Sequence, residues 1–117
     1  MATINGVEFD IDFTEAEIIE RIDEGNKEVQ NKIKELEDNI KNITPAEGIR
    51  QECKILKEFL DYVIGNGTSE KIFGEKNSLK DCLKAFEDII NERNNQYDNL
   101  QDIIDKYSPD RLKRWIY

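Results

Sequence analysis

From Ile19 onward the apolar residues of this chain return at alternating steps of three and four, and that rhythm admits little besides long α-helices carrying an apolar seam. Ile19, Ile22, Val29, Ile33, Leu36, Ile40 and Ile43 keep the step if Asn26 is counted as a seam position. Ile49, Cys53, Leu56, Leu60 and Val63 keep it again, and Ile55, Phe59, Tyr62 and Ile64 widen that face into one fit for the middle of a bundle. A third run, Leu79, Leu83, Phe86, Ile90, Arg93, Tyr97, Leu100, Ile104 and Tyr107, is interrupted only by Arg93. Asn91, Asn94, Asn95 and Asn99 surround that interruption, and as poor helix formers they leave room for a kink there. Asn26 and Arg93 either set register as polar seam residues, or lie at bends or reach solvent.

Local signals place the ends of these helices. Thr14 with Glu17 forms a capping box, with Phe13 and Ile18 in staple positions, so the first helix is predicted to start near Glu15. Thr44-Pro45-Ala46-Glu47 repeats the box with Pro in the first turn, which stops one helix and starts the next. Gly65-Asn66-Gly67 ends the second helix, Ser69 to Phe73 has room for a single turn before Gly74, and Asn77 or Ser78 caps the third. Ahead of all this, Asn5-Gly6 suits a tight two-residue turn while Val7, Phe9, Ile11 and Phe13 alternate with acids, which predicts a β-hairpin over residues 1–13. The expected fold is mainly α: that hairpin, three long antiparallel coiled-coil-like helices over 14–107, and a short basic and aromatic tail over 108–117, all in one domain.

Lengths then matter. The first and third helices would each run about 29 residues or ~44 Å, against about 20 residues or ~30 Å for the second. Apolar seam on the long helices should therefore extend past its intramolecular cover and call for a partner.

The chemistry of the sequence points the same way. It contains no His, which removes the commonest general base and the usual nucleophile pairs. Glu8, Asp10 and Asp12 start a calcium-loop pattern, but Glu15 and Arg21 stand where Gly and a bidentate acid are required. Gly65 to Glu70 does not complete a phosphate-binding loop. Cys53 and Cys82 occupy apolar helical positions without a metal-binding partner set, and are expected as reduced core residues. The formal charge is −9, most of it carried by residues 1–28, which disfavours nucleic acid and anionic membranes. No basic leader or membrane-length apolar run occurs, so a cytosolic, non-catalytic, cofactor-free binding protein is expected. The terminal Arg111-Leu112-Lys113-Arg114-Trp115-Ile116-Tyr117 is rich in Arg, Trp and Tyr, the types that dominate binding hot spots, and either docks on a partner or folds back on the acidic body.

Three stretches carry a family resemblance: Ile4-Asn5-Gly6-Val7-Glu8-Phe9; Lys71-Ile72-Phe73-Gly74 with Asn77 and Leu79 to Phe86; and Lys106-Tyr107-Ser108-Pro109-Asp110-Arg111. With them the chain resembles small tail assembly chaperone-like proteins of siphophages and prophages of Gram-positive bacteria. The resemblance implies a hairpin, a helical body and a basic end, and a role in the bacterial host cytoplasm. Its implied partners are the long helical tape measure protein and tail tube subunits. The residues expected to meet a partner, or a second copy, are Ile22, Val29, Ile33, Leu36 and Ile40 on the first helix, Ile90, Tyr97, Leu100 and Ile104 on the third, and Trp115 in the tail. The same seams would equally serve a structural virion or tail-like particle protein that self-assembles.

Overall fold

The structure, a computed structural model, describes residues 2–107. Strands β1 (Ala2–Ile4) and β2 (Val7–Phe9) pair antiparallel with Ala2 opposite Phe9 and Ile4 opposite Val7. Asn5 and Gly6 make the turn with φ of 49° and 80°, a left-handed pair that a type I′ hairpin requires. The ladder is shorter than the predicted 1–13. Past Phe9 the backbone leaves β1 and is held by a side chain far along the chain instead: Phe13 N–H donates to Gln96 Oε1 at 2.7 Å and Gln96 Nε2 donates to the Ile11 carbonyl at 3.0 Å.

Helix α1 spans Ala16–Asp38, and its first turn departs from the predicted cap. Asp12 captures Thr14 in a local turn, with the Thr14 N–H and hydroxyl both donating to Asp12 Oδ1, so Glu15 precedes the helix without a side-chain cap. The helix is also shorter than predicted, 23 residues and not about 29. Asn39 tightens its end by donating to the Leu36 carbonyl, and Ile40–Asn42 form a separate 3₁₀ turn, braced by the Asn42 amide donating to Asn39 Oδ1. Helix α2 (Pro45–Val63) follows the sequence prediction: Thr44 Oγ1 accepts from Glu47 N–H at 3.2 Å and Pro45 occupies the first turn.

Past α2 the chain turns through Gly65 and Gly67, both at positive φ, into the six-residue α3 (Thr68–Phe73). Asp61 fixes this segment by accepting from the Ser69 N–H at 2.8 Å and hydroxyl at 3.0 Å. Lys57 holds the return path with bonds to the Lys76 carbonyl and Asn77 Oδ1. Helix α4 (Leu79–Tyr107) starts with Ser78 Oγ accepting from Asp81 N–H and runs its 29 residues through Arg93 and the neighbouring asparagines without a break.

Helix directions correct one expectation. Glu24 meets Tyr62 while Lys32 meets Glu58, so α1 and α2 are antiparallel as predicted. Cys53 meets Cys82 and, further along both helices, Phe59 packs on Phe86 with ring centroids 5.0 Å apart. Thus α4 runs parallel to α2, because the stretch through α3 carries the chain back before α4 begins. The main core joins Ala2 and Ile4 of β1, Ile11, Phe13, Ile22 of α1, Phe59, Leu60 and Val63 of α2, and Ala85 and Ile89 of α4. Burying each of the larger side chains contributes roughly 1.5–3 kcal/mol. A smaller cluster of Cys53, Leu56 and Cys82 continues it toward the start of α4. The body measures 56 × 28 × 20 Å, an elongated shape.

Candidate binding surface

The surface is best built from α4, which meets two environments on adjacent stripes. Cys82, Ala85 and Ile89, spaced three and four apart, are buried against α2 and the hairpin. Leu83 and Ile90, a heptad apart on the predicted seam, are 52% and 40% exposed. The small Cys82 and Ala85 let α4 approach its neighbours closely, which turns the bulkier stripe out of the core. The sequence reading chose the larger residues as the seam and was one position off.

Between α1 and α4 lies a narrow cleft floored by Phe59 and walled by Ile22 and Asn26 on one side and Phe86, Ile89, Ile90 and Arg93 on the other. Arg93 Nε is buried and has no hydrogen-bond partner among the described residues, which leaves a donor facing an apolar crevice. Tyr97 lies on the same stripe; its hydroxyl is held above the usual phenol range chiefly by burial, and it lies near Asp23 of α1. On the outer side of α1 and α2 a second groove is lined by Gly25, Val29, Ile55, Phe59 and Tyr62 with Glu24, Glu28 and Glu58 around it. Lys32 bridges the acids there, 2.6 Å from Glu58 and 3.6 Å from Glu28, and these contacts raise its pKa. A third groove, ≈ 450 Å³, separates residues 10–14 from the C-terminal half of α4.

The ten residues predicted to meet a partner divide accordingly. Ile22 and Leu36 are buried within the chain's own core, 9% and 6% exposed, so they are core residues and not surface. Val29 and Ile33 are half-buried, and Val29 packs beside both core clusters. Ile40 is 52% exposed in the 3₁₀ turn that broke away from α1. Ile90 is exposed, and Tyr97 and Leu100 are half-buried on α4. Ile104 belongs to α4, but its side chain lies outside the described residues, as does Trp115 with the whole predicted tail 108–117.

Three residues that position these surfaces escaped the sequence reading. Asn26, counted as a seam position, is exposed; Gly25 takes its place. A Cβ on Gly25 would stand 2.9 Å from a Phe59 ring carbon, so the missing side chain is what sets the α1–α2 spacing. Gln96 clamps residues 11–13 from the register of Cys82, Ala85 and Ile89, a polar residue on a core stripe that the chosen seam concealed. Asn5, read only as a turn former, also docks the hairpin on α4: its N–H donates to Asp88 at 2.8 Å and its amide to the Asp81 carbonyl at 2.9 Å.

Cys53 and Cys82 are free, buried thiols in contact with each other. Burial, then the neighbouring Cys53, pushes the Cys82 pKa up to about 12, so it is a neutral packing group at ordinary pH. Among the described residues no cluster of His, Cys, Asp and Glu is placed to hold a metal ion, and no helix is long and apolar enough to cross a membrane.

Residues 5–116 match the model of a family of unknown function, DUF6673, and the chain belongs to that family. No curated protein and no solved structure matches it.

Proposed function

From the motif resemblance, and from an apolar stripe left open on the longest of the described helices, we propose that this chain is a tail assembly chaperone that binds an extended apolar helix. The carrying observation is Leu83 and Ile90, exposed one heptad apart on α4 beside the cleft at Phe59. An amphipathic helix reads such a surface through anchors at matching spacing. An acceptor on that helix would satisfy the Arg93 Nε donor, and Tyr97 continues the stripe toward the far end of α4. The motif resemblance supplies the partner class, a phage tape measure protein and after it tail tube subunits, in the cytoplasm of the bacterial host. The acidic body would keep a loaded complex dispersed by charge repulsion.

The test is co-expression with an apolar helical segment of a tape measure protein, reading how much of that segment stays in the supernatant. Wild-type chain should retain it, and Leu83→Asp with Ile90→Asp should release it while the circular dichroism spectrum stays helical. Equal retention by the double variant would remove the α4 stripe as the binding surface. Stable rings or tubes of the chain alone, seen by light scattering, would instead favour a structural particle protein.

A further inference from the structure

The three grooves described above differ in charge. The α1–α2 groove holds Lys32 already paired with Glu28 and Glu58, and the groove beside residues 10–14 is lined by Asp10, Asp12 and Glu92 without a cation. The cleft at Phe59 is the reverse: Arg93 is the one charged residue in its lining, set among Phe59, Phe86, Ile89 and Ile90, and no carboxylate faces it there. The Arg93 side chain enters none of the ion pairs or hydrogen bonds formed among the described residues, and its Nε is buried. A guanidinium stays charged at every ordinary pH and presents a planar fork of donors, so an apolar cleft that holds one without a counter-charge is best completed by a carboxylate.

We infer that the bound helix supplies it: an Asp or Glu three or four residues beyond the anchor that meets Ile90, on the side away from the anchor that meets Leu83, pairs with Arg93. The spacing follows from α4 itself. Leu83, Ile90 and Arg93 stand at steps of seven and three, so on a helix packed lengthwise the charged contact falls one turn past the second apolar one, whichever way that helix runs. The inference rests on the reading of α4 as the binding stripe and adds a rule of selection to it. On a chain with a formal charge of −9, an acid elsewhere on the ligand helix meets a surface mostly of its own sign, and Arg93 makes one position the favoured place for negative charge.

The test uses the full chain and dye-labelled synthetic helices of alanine and glutamine that carry two Leu anchors a heptad apart. Glu, Gln or Lys is placed three residues outside one anchor or the other, which covers both helix directions. By fluorescence anisotropy the Glu helix of one direction should bind about ten- to a hundredfold more tightly than its Gln counterpart, the scale of a hydrogen-bonded charge pair. Arg93→Gln should bring the Glu and Gln helices to equal affinity with the circular dichroism spectrum unchanged, and Arg93→Glu should transfer the preference to the Lys helix. Equal binding of the Glu and Gln helices by the wild-type chain, a comparison that needs no variant, would overturn the inference and leave the α4 stripe as a surface blind to charge. A Glu preference that survives Arg93→Gln would overturn it too, by assigning the carboxylate to another cation. Failure of every helix to bind would remove both the inference and the stripe beneath it.

Discussion

Helices α2 and α4 were written in the same rhythm and met different fates. Both repeat apolar residues at steps of four and three, yet on α2 that stripe is core from Cys53 on, with Cys53, Leu56, Leu60 and Val63 all buried and only Ile49 exposed at its start, while on α4 Leu83 and Ile90 stayed outside. The difference lies in what sits beside the stripe. On α2 the flanking Ile55 and Phe59 are apolar too, so a wide face can be enclosed by α1, the hairpin and α4 together. On α4 the flanking positions are the small Cys82 and Ala85, and these are the ones buried. Periodicity names the candidates for burial; side-chain bulk decides which of two neighbouring stripes is chosen.

The contrast breaks most visibly in the core. Leu60→Ala on α2 should cost about 2–5 kcal/mol in urea-induced unfolding, as for a large-to-small change at a sealed position. A loss of only a few tenths would mean α2 is not the enclosed helix. Gln96→Ala comes next: it strips the Phe13 N–H and Ile11 carbonyl of their partner, at roughly 1–3 kcal/mol for each group that water does not reach. Hydrogen exchange at Phe13 should accelerate before that of α2, separating this clasp from the core. Gly25→Ala sharpens the α1–α2 contact. Crowding against Phe59 costs about 1–3 kcal/mol, against about 1 kcal/mol gained in helix propensity, so a net loss near 1 kcal/mol is expected from thermal melting. The stripe of α4 should then give the smallest structural effect, with Leu83→Asp changing stability by about 0.5 kcal/mol or less.

Two titrations fall on the same divide. Cys82 faces α2, and its raised pKa means that its neutral form stabilises the fold fully below the ordinary thiol value near 9.0, with that contribution lost as pH rises toward about 12. Thiol labelling at pH 8 should accordingly be slow until denaturant is added. Asp12 is exposed, and hydrogen bonds from the Thr14 hydroxyl and N–H lower its pKa. Its modest contribution is present above the ordinary carboxylate value and fades as pH falls through the lowered one, and Asp12→Asn, which can still accept both bonds, should do little.

Much of this architecture was readable in advance, for physical reasons. The Asn5-Gly6 turn, the Thr44 cap, the Gly65 to Gly67 stop and the Ser78 cap are each fixed by local backbone requirements, so short stretches of sequence suffice. The end of α1 was misread because Ile40 and Ile43 keep the apolar rhythm while Asn39 and Asn42 end the helix through local bonds. The direction of α4 was not legible, since it depends on how far Asp61 and Lys57 draw the connecting segment back along α2. The Gly25 contact was hidden for a related reason: a glycine leaves no mark in an apolar pattern, yet it decides how near two helices can lie.

The hairpin's attachments are unusually distant in sequence: Asn5 is held by Asp88, 83 positions away, and Ile11 by Gln96, 85 positions away. Two three-residue strands do not persist alone in water. On the ribosome residues 2–13 therefore wait, with Ile4 and Phe13 uncovered, while α1 and α2 can already pair across their short connection. The clasp closes last, and the nascent chain commits to its final shape only after Gln96 has cleared the exit tunnel.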